Sequence, residues 1–278
     1  MSKVNVVGLG SAGCNIAKEF EKYPQYDVYK IDKEGEKAPN FYKIKAYERP
    51  EKYEANPPKM KSFFKKVKGE VLFIVSGSGI VSGASLVILE HLKKCQITIL
   101  YIKPDLELLS EVRTLQERVV YNVLQEYTRS GVFEQMILVD NNKIEEIVGD
   151  LPLREYYAKI NEVIAASVHM INVFRYSDSF IDNFSCSNDI ARIASISAVN
   201  VETGEERSFF SLDNVREKCY YYGISKEIIE SDGKFFSTLK EQIKQKRANE
   251  IKVSYGIYQT DYEHNYAYCL EKSSTIQK

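Results

Sequence analysis

The first half of the chain alternates short apolar runs with stretches of helical periodicity. Runs rich in β-branched residues begin at Val4, Val71 and Gln96, and a turn and an amphipathic stretch follow each of them. Continuous apolar runs are typical of strands that are covered on both faces of a parallel sheet. The alternation predicts an α/β fold with a Rossmann-like, doubly wound parallel sheet. The predicted strands are residues 4–7, 26–31, 41–45, 71–75, 96–102 and 135–139, and the predicted helices are residues 15–23, 59–68, 84–94 and 106–127.

A long helix follows, and the pattern changes after it. Within residues 152–174, Ile160, Ile164, Val168 and Ile171 recur at spacings of four, four and three, which places them on one helix face. After residue 195, alternating apolar and polar positions indicate strands with a helix among them, as in a small α+β domain. We expect three parts, which are residues 1–174, a connection over residues 175–195, and a smaller domain over residues 196–278. The predicted strands of the smaller domain are residues 196–202, 219–224, 253–259 and 266–270, and its predicted helix is residues 235–246.

Composition and charge exclude several classes of protein. The net charge of −1 is far from the basic balance of a nucleic-acid-binding domain. Five cysteines without a CxxC pair, and three scattered histidines, favour reduced thiols and no metal site. No apolar run approaches the roughly 20 residues that a membrane helix needs, and the start of the chain has no signal-peptide pattern. We expect a cytosolic protein without metal ligands, membrane insertion or direct contact with nucleic acid.

Two glycine-rich loops each stand between an apolar strand and a helix. Glycine lets the backbone approach a ligand that a Cβ atom would exclude. The unpaired N–H groups at the start of the following helix favour an anion. Two such loops predict a nucleotide whose phosphates are held from both sides. The loop residues predicted to bind it are Gly10, Ser11, Ala12, Gly13, Cys14, Asn15, Gly77, Ser78, Gly79, Ile80, Val81, Ser82 and Gly83.

The first loop also matches a dinucleotide fingerprint. Gly8, Gly10 and Gly13 fit G-x-G-x-x-G, and Asp32 follows Gly13 by nineteen residues at the end of a predicted strand. In the dinucleotide fold, such an acid contacts a ribose hydroxyl. An oxidoreductase that uses NAD or FAD is therefore an alternative, although it gives no role to the second loop or the long helix.

The two loops and the long helix together resemble the tubulin/FtsZ superfamily. Residues 10–15 resemble its first phosphate loop, written GGGGGN in FtsZ, and residues 77–84 resemble its signature GGGTGTGA. Tyr157 and Asn161 resemble the aromatic residue and the asparagine of its central helix, which hold the guanine. Order and spacing agree over residues 4 to about 195, and the small size is more similar to phage- or plasmid-encoded tubulins, of the PhuZ and TubZ kind, than to cellular FtsZ.

This resemblance implies the tubulin/FtsZ GTPase fold, with the nucleotide-binding domain over residues 1–174 and its central helix over residues 152–174. It implies GTP or GDP as the ligand, with Mg²⁺ held through the phosphates. It also implies a head-to-tail homopolymer in the cytosol of a bacterium, encoded by the host or by a phage. The resemblance names no adaptor, and nothing in the sequence identifies one.

The residues of the predicted base site fit that ligand. Tyr157 and Asn161 are four residues apart and lie on one helix face, which offers a purine a stacking surface and a polar edge. Asn15 is expected to reach the same pocket. The plainer interpretations are a core tyrosine and a solvated asparagine. The resemblance places ribose and phosphate contacts at the start of the fourth predicted helix, where Glu111 and Arg113 are the candidates, and a surface ion pair between them explains their presence equally well.

Hydrolysis, as the resemblance implies it, needs a second subunit. In the resembling family, an acidic loop after the central helix of one subunit positions water at the nucleotide of the next. Here that loop falls within residues 175–189, and Asp182 and Asp189 are the candidate catalytic residues. Only Asp189 matches the family motif NxDxxD, and it also fits an acid that favours a helix start. Because Ile80 and Val81 replace the Thr-Gly of the signature, we expect slow GTP hydrolysis at most, and a non-hydrolysing scaffold stays open.

Overall fold

The structure is a computed structural model, and it describes residues 3–184, 190–247 and 250–278. The chain divides into two compact units, the first ending at Ala165 and the second beginning at Ala166. This division by packing falls within the long helix, whereas the sequence analysis placed its divisions at residues 174 and 195. The functional assignment of those three parts stays a prediction.

A parallel sheet forms the centre of the first unit. Its described strands are β1 (Val4–Leu9), β2 (Tyr26–Asp32), β3 (Phe41–Lys43), β4 (Glu70–Val75), β5 (Gln96–Lys103) and β6 (Gln135–Asp140). They lie in the order β3-β2-β1-β4-β5-β6, and every neighbouring pair is parallel. All but the first residue of β1 and of β4 are buried, as their continuous apolar runs require. The predicted doubly wound sheet is confirmed.

Helices connect these strands at bounds that differ from the predicted ones. They are α1 (Gly10–Glu19), α2 (Glu51–Ala55), α3 (Ser85–Leu92), α4 (Glu111–Arg129), α5 (Asn141–Val148) and α6 (Leu153–Arg175), with 3₁₀ turns at Phe20–Lys22, Ile80–Ala84 and Leu106–Leu108. Helix α1 begins five residues earlier than predicted, because Gly10 adopts a φ of +71° and turns the chain directly from strand to helix. Helices α2 and α5 were not predicted, since each is only five to eight residues long.

The predicted helix over residues 59–68 was wrong. This segment forms hydrogen-bonded turns, in which the Phe64 N–H donates to the Met60 carbonyl oxygen and the Val67 N–H to that of Phe64. The side chains of Met60, Phe64 and Val67 are buried. The turns are sufficient to bury these three apolar side chains, so the amphipathic spacing does not require a helix.

The second unit has a mixed sheet that packs against the end of α6 and two further helices. Its elements after α6 are β7 (Ile181–Asp182), β8 (Ile193–Val199), β9 (Glu206–Ser208), β10 (Val215–Ser225), α7 (Lys226–Ser231), α8 (Phe235–Gln245), β11 (Lys252–Thr260) and β12 (Tyr266–Ser273). The strands lie in the order β8-β12-β10-β11-β7, with β9 on β8, and β10 and β11 are parallel. Leu239 and Ile243 of α8 pack on Tyr220 and Tyr222 of β10. The predicted smaller α+β domain is confirmed.

Candidate functional site

The two glycine-rich loops lie side by side at one edge of the sheet. Each follows the carboxyl end of a parallel strand, and β1 and β4 are hydrogen-bonded neighbours whose last residues, Leu9 and Val75, pair in register. The chain leaves β1 toward β2 on one side, while β4 and β5 continue on the other. This is the topological switch point at which open α/β sheets bind ligands. The structure therefore brings the two predicted loops together.

The first loop presents an uncapped helix start. The residue before α1, Leu9, is extended and makes no side-chain hydrogen bond to the helix, and the first turn contains no acidic residue. A Cβ atom at Gly10 would meet nothing within 4 Å. Ser11, Ala12 and Asn15 are exposed on the same turns. The free N–H groups and the positive end of the helix dipole are thus available to an anion.

The other glycines of the first loop have a packing role. A Cβ atom at Gly13 would lie 2.5 Å from the Ile74 carbonyl oxygen, and one at Gly8 would collide with the backbone of Gly13. These glycines let α1 pack directly on β1 and β4. The side chain of Cys14 also points inward, since its Sγ lies 3.4 Å from the Gly8 carbonyl oxygen, and burial raises the pKa of its thiol to about 12. Gly13 and Cys14 can offer a ligand only their main chain.

The second loop is held by its own hydrogen bonds. The hydroxyl oxygen of Ser82 lies 2.7 and 2.6 Å from the carbonyl oxygens of Gly77 and Gly79. The Gln116 amide of α4 donates to Ser82 Oγ at 3.1 Å and also to the Gly79 carbonyl. Val81 is buried in the 3₁₀ turn, so this β-branched residue needs no positive φ. Buried Ser82 is committed to the loop itself, and its side chain is not a free phosphate donor.

Gly79 is the glycine of the second loop that faces open space. A Cβ atom there would meet nothing within 4 Å, whereas one at Gly77 would collide with the Tyr101 hydroxyl and one at Gly83 would lie 2.5 Å from Pro50. Each loop therefore has a single open glycine of this kind, Gly10 and Gly79. The remaining described glycines of the motifs serve close packing, which the sequence motif alone does not distinguish.

A buried tyrosine–glutamate pair supports the second loop. The Tyr101 hydroxyl of β5 donates to Glu117 Oε1 of α4 at 3.0 Å, and both side chains are buried. Burial raises the pKa of the Glu117 carboxyl above its usual value of 4.5. Sequence analysis missed both residues, because Tyr101 continues an apolar strand and Glu117 stands among the polar residues of a helix.

The start of α6 displays the predicted base-binding residues. Tyr157 is 62% exposed, so its interpretation as a core aromatic residue was wrong, and Asn161 is half-buried one turn later. The ring of Tyr157 meets that of Tyr156 edge-on at 5.0 Å, and the Tyr156 hydroxyl donates to Glu145 of α5 at 2.7 Å. Burial raises the pKa of Tyr156 to about 12, and the carboxylates of Glu145 and Asp105 add to this effect. Asp105 follows β5, so this end of α6 is close to the ligand-binding edge.

Asp32 is engaged within the protein. Its two carboxylate oxygens accept hydrogen bonds from the Ser11 hydroxyl at 2.9 Å and from the Lys33 N–H at 2.8 Å, and the residue is 6% exposed. A ribose hydroxyl would have to compete for a buried carboxylate that already has two donors. This observation counts against the dinucleotide interpretation.

The structure does not assign a role to the last four predicted site residues. Glu111 and Arg113 are exposed on the first turn of α4, and no ion pair joins them among the described contacts. Asp182 is exposed in β7, and the Ser179 hydroxyl donates to it. Asp189 lies outside the described residues. The roles of these four residues stay predictions.

Within the described ranges, one cluster has the ligand types of a metal site: Glu206, Cys269 and Glu271 of the second unit. The Lys218 ammonium lies 2.7 Å from each of the two carboxylates, and Lys246 also pairs with Glu206. Two lysines already neutralise the two acids, so the cluster is an ion-pair network and not a metal site. None of the described helices has the length and the hydrophobicity that a membrane span requires.

No protein-family model and no curated protein matches the sequence. Solved structures do match. A GTPγS-form protofilament of TubZ from Bacillus thuringiensis serovar israelensis superposes with a TM-score of 0.74 at 15% identity, over 99% of this chain and 87% of that one. The chain has the tubulin/FtsZ fold. CetZ from Methanosaeta thermophila gives a TM-score of 0.70 at 15% identity, with 99% and 87% covered. An FtsZ dimer from M. jannaschii gives 0.69 at 15% identity, with 98% and 88% covered.

This likeness confirms the fold predicted from the two loops and the long helix. The tubulin/FtsZ fold extends over nearly the whole chain, including the second unit, for which the sequence resemblance was weak. At 15% identity the comparison concerns the fold, and the chemistry has to be argued from the residues of the site.

Proposed function

We propose that this protein binds GTP or GDP and assembles head to tail into filaments. The observation that carries the proposal is the pair of open glycines, Gly10 and Gly79, at the ends of adjacent strands beside an uncapped helix start. The exposed ring of Tyr157 and the half-buried Asn161, both at the start of α6, would complete the site. The TubZ relatives with the same fold include GTPγS-form and GDP-form protofilaments and a two-stranded filament.

The phosphates would be held chiefly by main-chain groups. The N–H groups of α1 lack a capping side chain, and the open space at Gly10 and Gly79 is a cradle that a Cβ would fill. The purine would stack on Tyr157, with Asn161 and Asn15 offering polar contacts to its edge. Glu111 and Arg113 are the proposed ribose and phosphate contacts. Mg²⁺ would be held through the phosphates, where it would neutralise their charge.

We expect turnover to be slow. The side-chain hydroxyl of Ser82 is committed to the second loop, so it does not replace the threonine hydroxyl that the signature would place at Ile80. The group that positions water would come from Asp182 or Asp189 of the next copy, through a heterologous contact that grows into a filament. We place the protein in the bacterial cytosol, and a phage origin is a hypothesis from the sequence resemblance. The alternative function, a non-hydrolysing filament scaffold, differs from this proposal only in that GTP is not hydrolysed.

Binding of a fluorescent GTP analogue tests the proposal. Gly79→Val fills the open cradle at an ordinary φ of −82° and should abolish binding. Gly233→Val is the matched control, because a Cβ at Gly233 also meets open space. Tyr157→Ala should weaken binding at least tenfold, whereas Tyr262→Ala should leave it unchanged, although both tyrosines are 62% exposed.

Assembly is measured on the same samples by sedimentation with and without GTP. The proposal predicts pelleted filaments with GTP and none with the Gly79→Val variant. A protein that ignores GTP and GDP but binds NAD would overturn the proposal in favour of the dinucleotide interpretation.

A further inference from the structure

A row of exposed apolar side chains on α4 has no role in the proposed nucleotide site. Leu108, Val112, Leu115 and Val119 are 80%, 76%, 63% and 54% exposed, and we call these four residues the apolar stripe. Spacings of three and four place Val112, Leu115 and Val119 along one side of α4, and Leu108 lies in the 3₁₀ turn before the helix. The opposite side of α4 is buried in the first unit. A contiguous exposed row of large apolar groups is typical of an interaction surface.

A groove runs beside the apolar stripe. Its volume is about 600 Å³, and its lining includes Pro50, Ile80 of the second loop and Leu86, together with Val119 and Val123 of α4. The groove and the stripe share Val112, Leu115 and Val119. The combined surface follows the helix for about three turns, a shape that suits a second helix lying along α4.

The stripe extends along α4 away from the ligand-binding edge. Helix α4 starts after the carboxyl end of β5 and returns the chain to the amino end of β6, so it runs back along the sheet. Head-to-tail contacts at the ligand-binding edge would leave Leu115 and Val119, farther along the helix, uncovered. An occupant of the stripe would therefore join filaments side by side.

We propose that this occupant is the α4 helix of a second copy, packed antiparallel about a twofold axis. Glu111 and Arg118 are both exposed and flank the stripe on the same side, seven residues apart. An antiparallel pair with Val112 opposite the partner's Leu115 sets Glu111 beside the partner's Arg118 and repeats this contact by symmetry. A parallel in-register pair would set Glu111 opposite the partner's Gln116 instead, without a charge pair.

This charge complementarity selects a second copy in the antiparallel orientation. A single contact of this size is weak, but filaments would repeat it at every subunit, which multiplies the affinity. In this respect the inference rests on the proposed function. Glu111 then has two candidate partners, a ribose and the second copy's Arg118, and binding and cross-linking measurements separate them.

Site-directed cross-linking tests the orientation. Val112→Cys and Leu115→Cys variants carrying different tags are mixed with GTP and oxidised, with wild-type protein as the control for native cysteines. The antiparallel pair predicts a cross-link between the two variants at least fivefold above either same-site homodimer. Predominant same-site homodimers, or no product above the wild-type background, would overturn the proposal.

Charge and apolar variants test the contact itself. Arg118→Glu should lower the Val112→Cys/Leu115→Cys cross-link severalfold. Leu115→Lys/Val119→Lys, tested by filament bundling in electron micrographs, should give single filaments. Val132→Lys, at an equally exposed valine off the stripe, should leave the bundles intact. Unchanged bundling in Leu115→Lys/Val119→Lys would contradict the proposal.

GTP binding by the same variants distinguishes the two proposals. If wild-type protein binds GTP and pellets but fails the cross-linking test, the side-by-side contact is wrong and the nucleotide site stands. If cross-links form as expected but no GTP binds, the nucleotide site is wrong and the α4 contact stands.

Discussion

Removing the Tyr101 hydroxyl should destabilise the first unit in a pH-dependent way. Tyr101→Phe leaves Glu117 Oε1 without the donor that lies 3.0 Å away, while the Glu117 side chain is only 3% exposed. A hydrogen bond to a charged group contributes about 1.5–3 kcal/mol, and an unsatisfied buried acceptor costs a similar amount. We therefore expect a loss of about 2 kcal/mol in the free energy of unfolding at pH 8, measured by urea denaturation.

The sign of the pH dependence follows from the Glu117 pKa. Burial raises this pKa above 4.5, so the carboxyl contributes stability that is fully present below pH 4.5 and is lost as pH rises through the raised value. The Tyr101 hydrogen bond partly offsets that loss by favouring the charged form. The cost of Tyr101→Phe should accordingly shrink at pH 4, where Glu117 is protonated.

A double-mutant cycle isolates this pair. Glu117→Gln removes the buried charge, so Tyr101→Phe in that background should cost less than about 1 kcal/mol at pH 8, the ordinary value of a neutral hydrogen bond. The same cost for Tyr101→Phe at pH 4 and pH 8, or in both backgrounds, would refute this explanation of how the pair supports the second loop.

Three further predictions concern packing, thiol chemistry and the second unit. Gly13→Ala should lower the free energy of unfolding by about 1–3 kcal/mol in urea denaturation, since the new Cβ would crowd the Ile74 carbonyl; full stability would contradict the packing role. Cys14 should resist iodoacetamide at pH 8 in native protein and react after unfolding, because burial raises the pKa of its thiol to about 12; mass spectrometry detects the adduct. Glu206→Gln should cost about 2 kcal/mol, because it removes the charge that accepts hydrogen bonds from Lys218 and Lys246; wild-type thermal melts should lose this contribution as pH falls from 4.5 toward 2.

The loss of stability at low pH follows from the ion-pair network of the second unit. Burial acts to raise the pKa of Glu206, but hydrogen bonds from Lys218, Lys246 and Tyr220 outweigh it and lower the pKa to about 2. A depressed carboxyl pKa contributes stability above its unfolded value, and that stability is lost as pH falls through the folded one. Melting temperatures of Glu206→Gln that fall as steeply as those of wild-type protein below pH 4.5 would contradict this assignment.

The local pattern of the sequence was sufficient for the main elements of the fold. The apolar runs correspond to the buried strands β1, β4 and β5. The apolar face predicted for the long helix is also buried, at Ile160, Ile164, Val168 and Ile171. Errors occurred where local pattern and packing diverge. Residues 59–68 have amphipathic spacing but form turns, and α2 and α5 are too short for their periodicity to stand out.

The candidate site, like the fold, could be predicted from sequence only in part. Its loops could be located from sequence because each follows an apolar strand, and parallel strands bring their carboxyl ends to one edge. Sequence could not tell that Gly10 and Gly79 face open space while Gly13 and Gly77 pack against other elements. It also could not tell that Asp32 is engaged by Ser11, twenty-one residues away.

By itself, the sequence determined the α/β architecture, the positions of both loops and the long helix that carries Tyr157 and Asn161. These features depend on the order of apolar, polar and glycine residues over short stretches of chain. Only the tertiary structure decided which glycines are open, that Tyr101 bonds Glu117, and that one side of α4 is left exposed. These features depend on contacts between residues far apart in the chain, which local pattern does not encode.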